Sequence, residues 1–252
     1  MYILMLNQEL TVKMSKFPQL SKYKDLLENA ILYYYNRLLF LKHFKKFPKF
    51  RYYSYDFALN YINDNNLKSI VELGTIRSYV DGRFEGCNSD DKIYWDENNP
   101  EKWDWSAGMF SYVFSECLPD CSIITVDYVK AHLERCKHMN IQKNNIKYIH
   151  KSSEEYLKSI KKPVDVIYID TGDLVPVEEN ALNQLLEAHI IVDRELINKD
   201  GLIIIDDILS PQVAEDGEDH TYGKSKYTVP YLLENGFEII YSEYQIILKK
   251  IS

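Results

Sequence analysis

From residue 69 to the end of the chain, short unbroken apolar runs alternate with segments whose apolar residues recur every three or four positions. The runs predict strands at 69–73, 122–126, 146–149, 164–169 and 201–205, with a closing pair at 236–242 and 244–249. Runs this short, with little polar alternation, suit strands buried on both faces. The spaced segments predict helices at 106–118, 129–139, 153–160, 178–198 and 225–235. Ser106 and Ser153 are candidate N-caps, and Gly201 and Gly236 end helix-to-strand turns. This alternation specifies an α/β fold: a mostly parallel sheet of seven strands, covered on both faces through right-handed crossovers. The last two runs lie too close together for a parallel crossover, so they predict an antiparallel hairpin at one edge.

Residues 1–65 carry helical spacing only, with Leu26, Leu27, Ala30, Ile31, Tyr34, Leu38, Leu39 and Leu41 in register, and a further helix from Tyr55 to Asn65. They form an N-terminal helical cap ahead of a domain over 66–252. Lys42, Lys45, Lys46, Lys49 and Arg51 interleave with Phe44, Phe47, Phe50, Tyr52 and Tyr53. Either these residues contact a phosphate or a partner, or they form a solvated basic turn whose aromatics pack on the sheet domain.

The polar residues that end the runs are the candidate chemistry. Ile70-Val71-Glu72-Leu73-Gly74-Thr75 reaches an acid and then a glycine, and Ile123-Ile124-Thr125-Val126-Asp127 repeats the pattern. Val164 to Asp170 and Gly201 to Asp207 do so again, and ligands of open α/β sheets bind beyond these strand ends. Two long irregular segments interrupt the alternation. Residues 77–105 mix Tyr79, Phe84, Tyr94, Trp95, Trp103 and Trp105 with many acids, which predicts a lid or substrate wall. Residues 208–224 carry Asp216-Gly217-Glu218-Asp219-His220 and run into Gly223-Lys224-Ser225-Lys226.

Composition narrows the classes. A chain of 252 residues with 46% hydrophobic residues can fill a sizeable core. Its net charge of −8 argues against nucleic acid as the main partner. No apolar run is long enough to span a membrane and no secretion signal is visible, so the expectation is a cytoplasmic protein. Cys87, Cys117, Cys121 and Cys136 lack paired metal spacing and read as reduced structural thiols.

Glu72 and Gly74, with Thr75 in the same turn, resemble the first motif of class I S-adenosylmethionine-dependent methyltransferases, where an acid ends the first strand and a glycine admits the cofactor. Ile76 and Ser78 stand where further glycines often occur. The resemblance implies a Rossmann-like sheet, with Asp127 accepting from the ribose hydroxyls and Ser152 near the adenine. The segment from Tyr168 to Asp173, together with Ile205-Asp206-Asp207, looks like the metal-dependent macrocin O-methyltransferase type, which acts on sugar hydroxyls. Carried over, Asp170 lies at the cofactor and joins Asp206 and Asp207 as ligands of Mg2+, oxygen donors that suit a hard cation.

Relatives of that type often place a histidine where this chain has Asp173, so the base that would deprotonate the acceptor is either Asp173 or His220. Lys224 and Lys226, flanking Ser225 at a helix start, are either a phosphate grip suited to a nucleotide-activated sugar or two solvated lysines. The expectation is therefore an O-methyltransferase acting on a small sugar or nucleotide-linked sugar in surface polysaccharide or natural-product biosynthesis, with a homo-oligomer left open. A catalytically silent scaffold with the same fold is the alternative. A nicotinamide dehydrogenase is disfavoured, because 55 residues separate Glu72 from Asp127 where that fingerprint expects about 20.

Overall fold

The computed structural model describes residues 16–24, 51–75, 110–172, 177–208 and 223–251. Among them, β1 (Ser69–Leu73), β2 (Ser122–Asp127), β3 (Ile146–His150), β4 (Val164–Ile169), β5 (Ile197–Ile205), β6 (Phe237–Ser242) and β7 (Ile246–Lys250) form one sheet. Its order is β3-β2-β1-β4-β5-β7-β6. The first five strands are parallel, with Ile70 paired to Ile123 on one side and Val166 on the other. β7 runs antiparallel to both β5 and β6, so the hairpin predicted from the sequence closes one edge with its second strand innermost.

Helices α1 (Pro18–Ser21), α2 (Arg51–Asp64), α3 (Phe110–Cys117), α4 (Lys130–Met139), α5 (Ser153–Ser159), α6 (Val177–Asp193) and α7 (Thr228–Glu234) complete the described elements, with a 3-10 turn at Gly223–Ser225. The strands are apolar on both sides because both sides are covered. Tyr168 and Val166 of β4 face a core shared with Leu20, Tyr55, Leu59, Phe110 and Phe114. Ile167 and Ile169 face the opposite core, with Leu157, Ala188, Ile191 and Leu232. Helix α2 therefore belongs to the same packed layer as α3, and its residues share one core with the sheet.

An aromatic stack anchors that first layer. The Phe110 ring lies between Phe114 and Tyr168, at centroid separations of 3.9 and 4.1 Å, and Tyr55 meets Phe114 edge-on at 5.1 Å. These rings are all buried. Cys117, Cys121 and Cys136 are buried free thiols, and Cys87 lies outside the described residues.

Several boundaries differ from the sequence expectation. The helix expected over 178–198 stops at Asp193, because Glu195 takes a left-handed φ of 52° and turns the chain into a strand that begins at Ile197. Gly201 lies inside β5 instead of ending a helix, and a Cβ there would come within 2.6 Å of the Asp165 carbonyl oxygen. The helix expected over 225–235 is split into the 3-10 turn and α7. The N-cap of α5 is Ser152 and not Ser153: its hydroxyl accepts from Glu155 N while the Glu155 carboxylate accepts from Ser152 N, a reciprocal capping box. Ser106, the segment 77–105 and the helix expected over Leu26–Leu41 lie outside the described residues. No described helix is long and apolar enough to cross a membrane.

Phe114→Ala should open a cavity beside Phe110 and Tyr55 and destabilise the protein by about 3–5 kcal/mol in urea unfolding. A loss below about 1 kcal/mol would mean that the stack is not part of a close-packed core.

Candidate functional site

The neighbours of β1 lead away in opposite directions, β2 toward β3 and β4 toward β5, which makes the carboxyl end of β1 the switch point of the sheet. Three backbone bonds hold this edge in shape: Gly74 N donates to Val126 O at 2.9 Å, Asp170 N to Leu73 O at 2.9 Å, and Asp206 N to Ile169 O at 3.1 Å. Gly74 has a φ of +80°, and a Cβ on it would lie 2.4 Å from the Asp170 carbonyl oxygen. The glycine is thus required by the packing of the β1 turn against the end of β4 as well as by its backbone angle.

Beside that turn lies a cavity of about 520 Å³ whose lining includes Gly74, Thr75, Asp127, His132, Ser152, Asp170, Gly172, Asn180 and Glu187. Its volume is that of a small-molecule site. Asp127 ends β2 with its carboxylate largely ordered from within the fold: Thr75 N donates to Oδ2 at 3.1 Å, Val129 N to Oδ1 at 2.7 Å, and His132 Nδ1 lies 3.2 Å from Oδ2. A carboxylate has about four acceptor positions, so Asp127 keeps capacity toward the cavity. Ser152 lines the cavity while capping α5.

Glu72 stands apart. It is buried, is not among the cavity-lining residues, and accepts from Ser111 N of α3 at 3.2 Å. Burial pushes its carboxyl up to about 7, against the hydrogen bond from Ser111 N. Its place in the structure is to tie the end of β1 to α3 through Ser111.

On the other flank, Asp170, Asp206 and Asp207 bring carboxylate oxygens within 4.8 Å of one another. Asp206 is completely buried, and Arg51 grips it through Nε at 3.0 Å and Nη2 at 2.5 Å to Oδ2, while Gln245 Nε2 donates to Oδ1 at 2.7 Å. Arg51 itself is 2% exposed; burial opposes its charge, but Asp206, Tyr244 and Asp207 hold it protonated. Asp207, with a left-handed φ of 55°, accepts from the Tyr244 hydroxyl. Lys224 is fully buried, its Nζ 3.4 Å from Asp170 Oδ1, 3.4 Å from Asp207 Oδ2 and 3.1 Å from the Gly172 carbonyl oxygen. Burial first, and then the charge of Asp206, pushes the Asp170 carboxyl well above the usual carboxylate range, with Lys224 opposing. A magnesium ion needs open oxygens in near-octahedral array at about 2.0–2.1 Å. These carboxylates do not fit it as they stand, because Arg51, Gln245, Tyr244 and Lys224 already occupy them.

No protein-family model matches the chain, and no curated protein matches it in sequence. Solved structures do match. A Staphylococcus aureus protein assigned as a caffeoyl-CoA O-methyltransferase superposes with a TM-score of 0.52 at 14% identity, over 92% of this chain and 99% of that one. An SAH-bound methyltransferase from Podospora anserina gives a TM-score of 0.51 at 14% identity, over 97% of this chain and 99% of that one. The chain has the Rossmann-like methyltransferase fold.

Within that fold the residues expected from the sequence fall in different places. Gly74, Thr75, Asp127, Ser152 and Asp170 meet at one cavity. Asp206 and Asp207 lie behind it with Asp170 in the acidic cluster. Lys224 and Lys226 do not form a joint solvent-facing grip: Lys224 is buried among acids, and Lys226 pairs with Glu178 at 2.5 Å. Their turn is 3-10, not the start of an α-helix. Asp173 and His220 lie outside the described residues.

Sequence reasoning missed Gln245 and Glu187, and it read Arg51 as part of a phosphate or partner contact or a solvated turn, whereas Arg51 is buried on Asp206. Glu187 was legible: with Asn180, Ala181, Gln184, Ala188 and Ile191 it occupies the buried stripe of α6, where a charge is out of place. Its carboxylate accepts from the Ser153 hydroxyl and, at 2.8 Å, from the Thr171 hydroxyl, joining the loops after β3 and β4 across the cavity. Burial pushes it from 4.5 up to about 7, outweighing those hydrogen bonds. A carboxyl raised in the folded state binds its proton more tightly there than in the unfolded chain. Its contribution to stability is full below about pH 4.5 and is lost as pH rises through about 7. Glu187→Gln removes that titration. Compared with the parent, the variant should gain about 2–3 kcal/mol in relative stability between pH 5 and pH 8 in urea unfolding. A difference that is flat with pH would show that Glu187 does not titrate in this range.

Proposed function

We propose that the protein is an S-adenosylmethionine-dependent methyltransferase that passes the methyl group to a hydroxyl of a small acceptor, a sugar or nucleotide-activated sugar of the macrocin-type class. The observation that carries the reading is the cavity at the switch point, where the Gly74 turn, the strand-end Asp127 and Ser152 converge on one ligand-sized space. A nucleoside ligand would meet a carboxylate able to accept from both ribose hydroxyls at Asp127, and a loop after β3 ordered by the Ser152 cap beside its base. The sulfonium of that cofactor is already activated, so the protein's part is to align acceptor oxygen, methyl carbon and sulfur, and to remove the hydroxyl proton. No step of this reading passes through a metal ion. Methyl transfer to oxygen is supported by the name of the Staphylococcus aureus neighbour, and the sugar by the resemblance around Asp170 and Asp206-Asp207.

Titration calorimetry with S-adenosylhomocysteine tests the cofactor. The parent protein should bind one equivalent, and Asp127→Asn, whose single side-chain oxygen can accept from only one of Thr75 N and Val129 N and which carries no charge, should weaken binding by about 10- to 100-fold, the scale of hydrogen bonds to a charged group. Absence of heat and of any thermal shift at millimolar ligand would reject the reading and favour a silent scaffold.

Asp173 and His220 are the candidate bases. Single-turnover rates of Asp173→Asn and His220→Ala should show one of the two reduced by about 100-fold or more with S-adenosylhomocysteine affinity unchanged. Full rates in both variants would remove both from that role.

A further inference from the structure

Strand-end carboxylates as close as Asp170, Asp206 and Asp207 repel one another unless something positive stands among them. In this protein two of its own side chains do so. Lys224 reaches Asp170, Asp207 and the Gly172 carbonyl oxygen from one side, and Arg51 takes Asp206 from the other. Both cations are buried.

Lys224 is placed there by its backbone. Gly223 has a φ of +52°, and a Cβ on it would lie 3.1 Å from the Ile208 carbonyl oxygen and 3.2 Å from that of Asp207. Ser225 on the other side donates to Gln184 Oε1 at 2.7 Å, and Gln184 in turn donates to the Thr171 carbonyl oxygen at 3.2 Å. The turn is therefore fixed both to the segment after β5 and to α6, and its middle residue, Lys224, reaches the acids. A divalent ion entering the carboxylates would have to expel that ammonium or sit against it at short range, away from water that could screen the repulsion.

We propose that Lys224 is the resident cation of this site: its ammonium stands among Asp170, Asp207 and the Gly172 carbonyl where a divalent ion would otherwise be coordinated, so the protein binds its ligand and turns over without metal. Lys224 is a positioning residue in this scheme, holding the end of β4 at the cavity wall through Asp170 and Gly172. The inference rests on the reading under Proposed function for its bearing on turnover, whereas the metal titration below does not.

The test uses the full chain, stripped with chelator and dialysed, titrated with Mn2+ while the free-ion electron paramagnetic resonance signal and the melting temperature are followed. The parent protein should show no saturable uptake up to millimolar Mn2+, and its affinity for S-adenosylhomocysteine should be the same in excess chelator. Lys224→Met should gain saturable uptake of one Mn2+, at least about tenfold tighter than the parent, and a melting temperature that rises with Mn2+. Should that variant not fold, Lys224→Gln, which removes the charge and retains a donor for the Gly172 carbonyl, replaces it.

Saturable uptake of one Mn2+ by the parent protein would overturn the proposal, and so would a folded Lys224 variant as indifferent to Mn2+ as the parent. Failure of S-adenosylhomocysteine to bind the parent would instead reject the methyltransferase reading, leaving the Mn2+ result to decide the role of Lys224 independently.

Discussion

The structure turns on how negative charge is accommodated where water is excluded. Strands β1, β2, β4 and β5 all bring acids to one edge of the sheet, and close packing leaves Glu72 and Asp206 almost without solvent. An isolated buried carboxylate is far costlier than a paired one. The fold meets this cost differently at each strand. Asp127 is held by backbone N–H groups and His132, Glu72 by Ser111 N of α3, and Asp206 by a buried guanidinium. The carboxylates nearest the cavity's β4 side share an ammonium. Removing one partner of such a buried pair is more damaging than replacing the pair as a whole, so these residues are bound to one another even where none touches a ligand.

Arg51 shows how this constraint reaches into the architecture. It lies in α2, and its guanidinium passes over the Tyr244 ring at 5.0 Å to reach Asp206. Ser54, one turn further along, donates to Gln245, which itself donates to Asp206 and to the Tyr168 hydroxyl. Tyr168 is also part of the aromatic stack with Phe110. The helix ahead of β1 is thus locked to the last hairpin and to the central strand by one polar network inside an apolar layer. Networks of this kind are specific because each member satisfies another, and a shift of α2 would leave several buried groups unpaired together.

Much of the fold was legible because its signal is local. Apolar runs at 69–73, 122–126 and 164–169 are strands within a residue of those limits, and the close spacing of the last two runs revealed the antiparallel hairpin. Boundaries failed where one residue's backbone angle overrode periodicity: Glu195 ended a helix whose apolar pattern continued, and Gly201 served strand packing where a turn was expected. The candidate site was legible in part for the same reason. Glycine and acid at the end of β1, and acid at the end of β2, are adjacent in sequence to the strands that position them. The partners of those acids are not. Arg51 lies 155 positions from Asp206, and nothing in a run of basic and aromatic residues tells that Arg51 turns inward. Lys224 was visible as a residue near the ligand edge, but its sign of exposure was misjudged, since a lysine in a polar loop reads as solvated until the acids around it are known.

That misjudgement bears on how strand-end acids should be read. Three carboxylates at adjacent strand ends suggest a metal only if their oxygens face open space; the same three residues, with a lysine and an arginine nearby in the fold, are a self-neutralising cluster. The spacing Asp206-Asp207 is common to both cases and cannot separate them. What separates them is the charge set around the acids: Asp206 is gripped by Arg51, and Asp207 by Tyr244 and Lys224, with Arg51 Nη2 at 3.4 Å. With its acids paired inside the fold, the β5 end lies behind the cavity, whose lining comes from the β1 turn, Asp127, the end of β4 at Asp170 and the loop capped by Ser152.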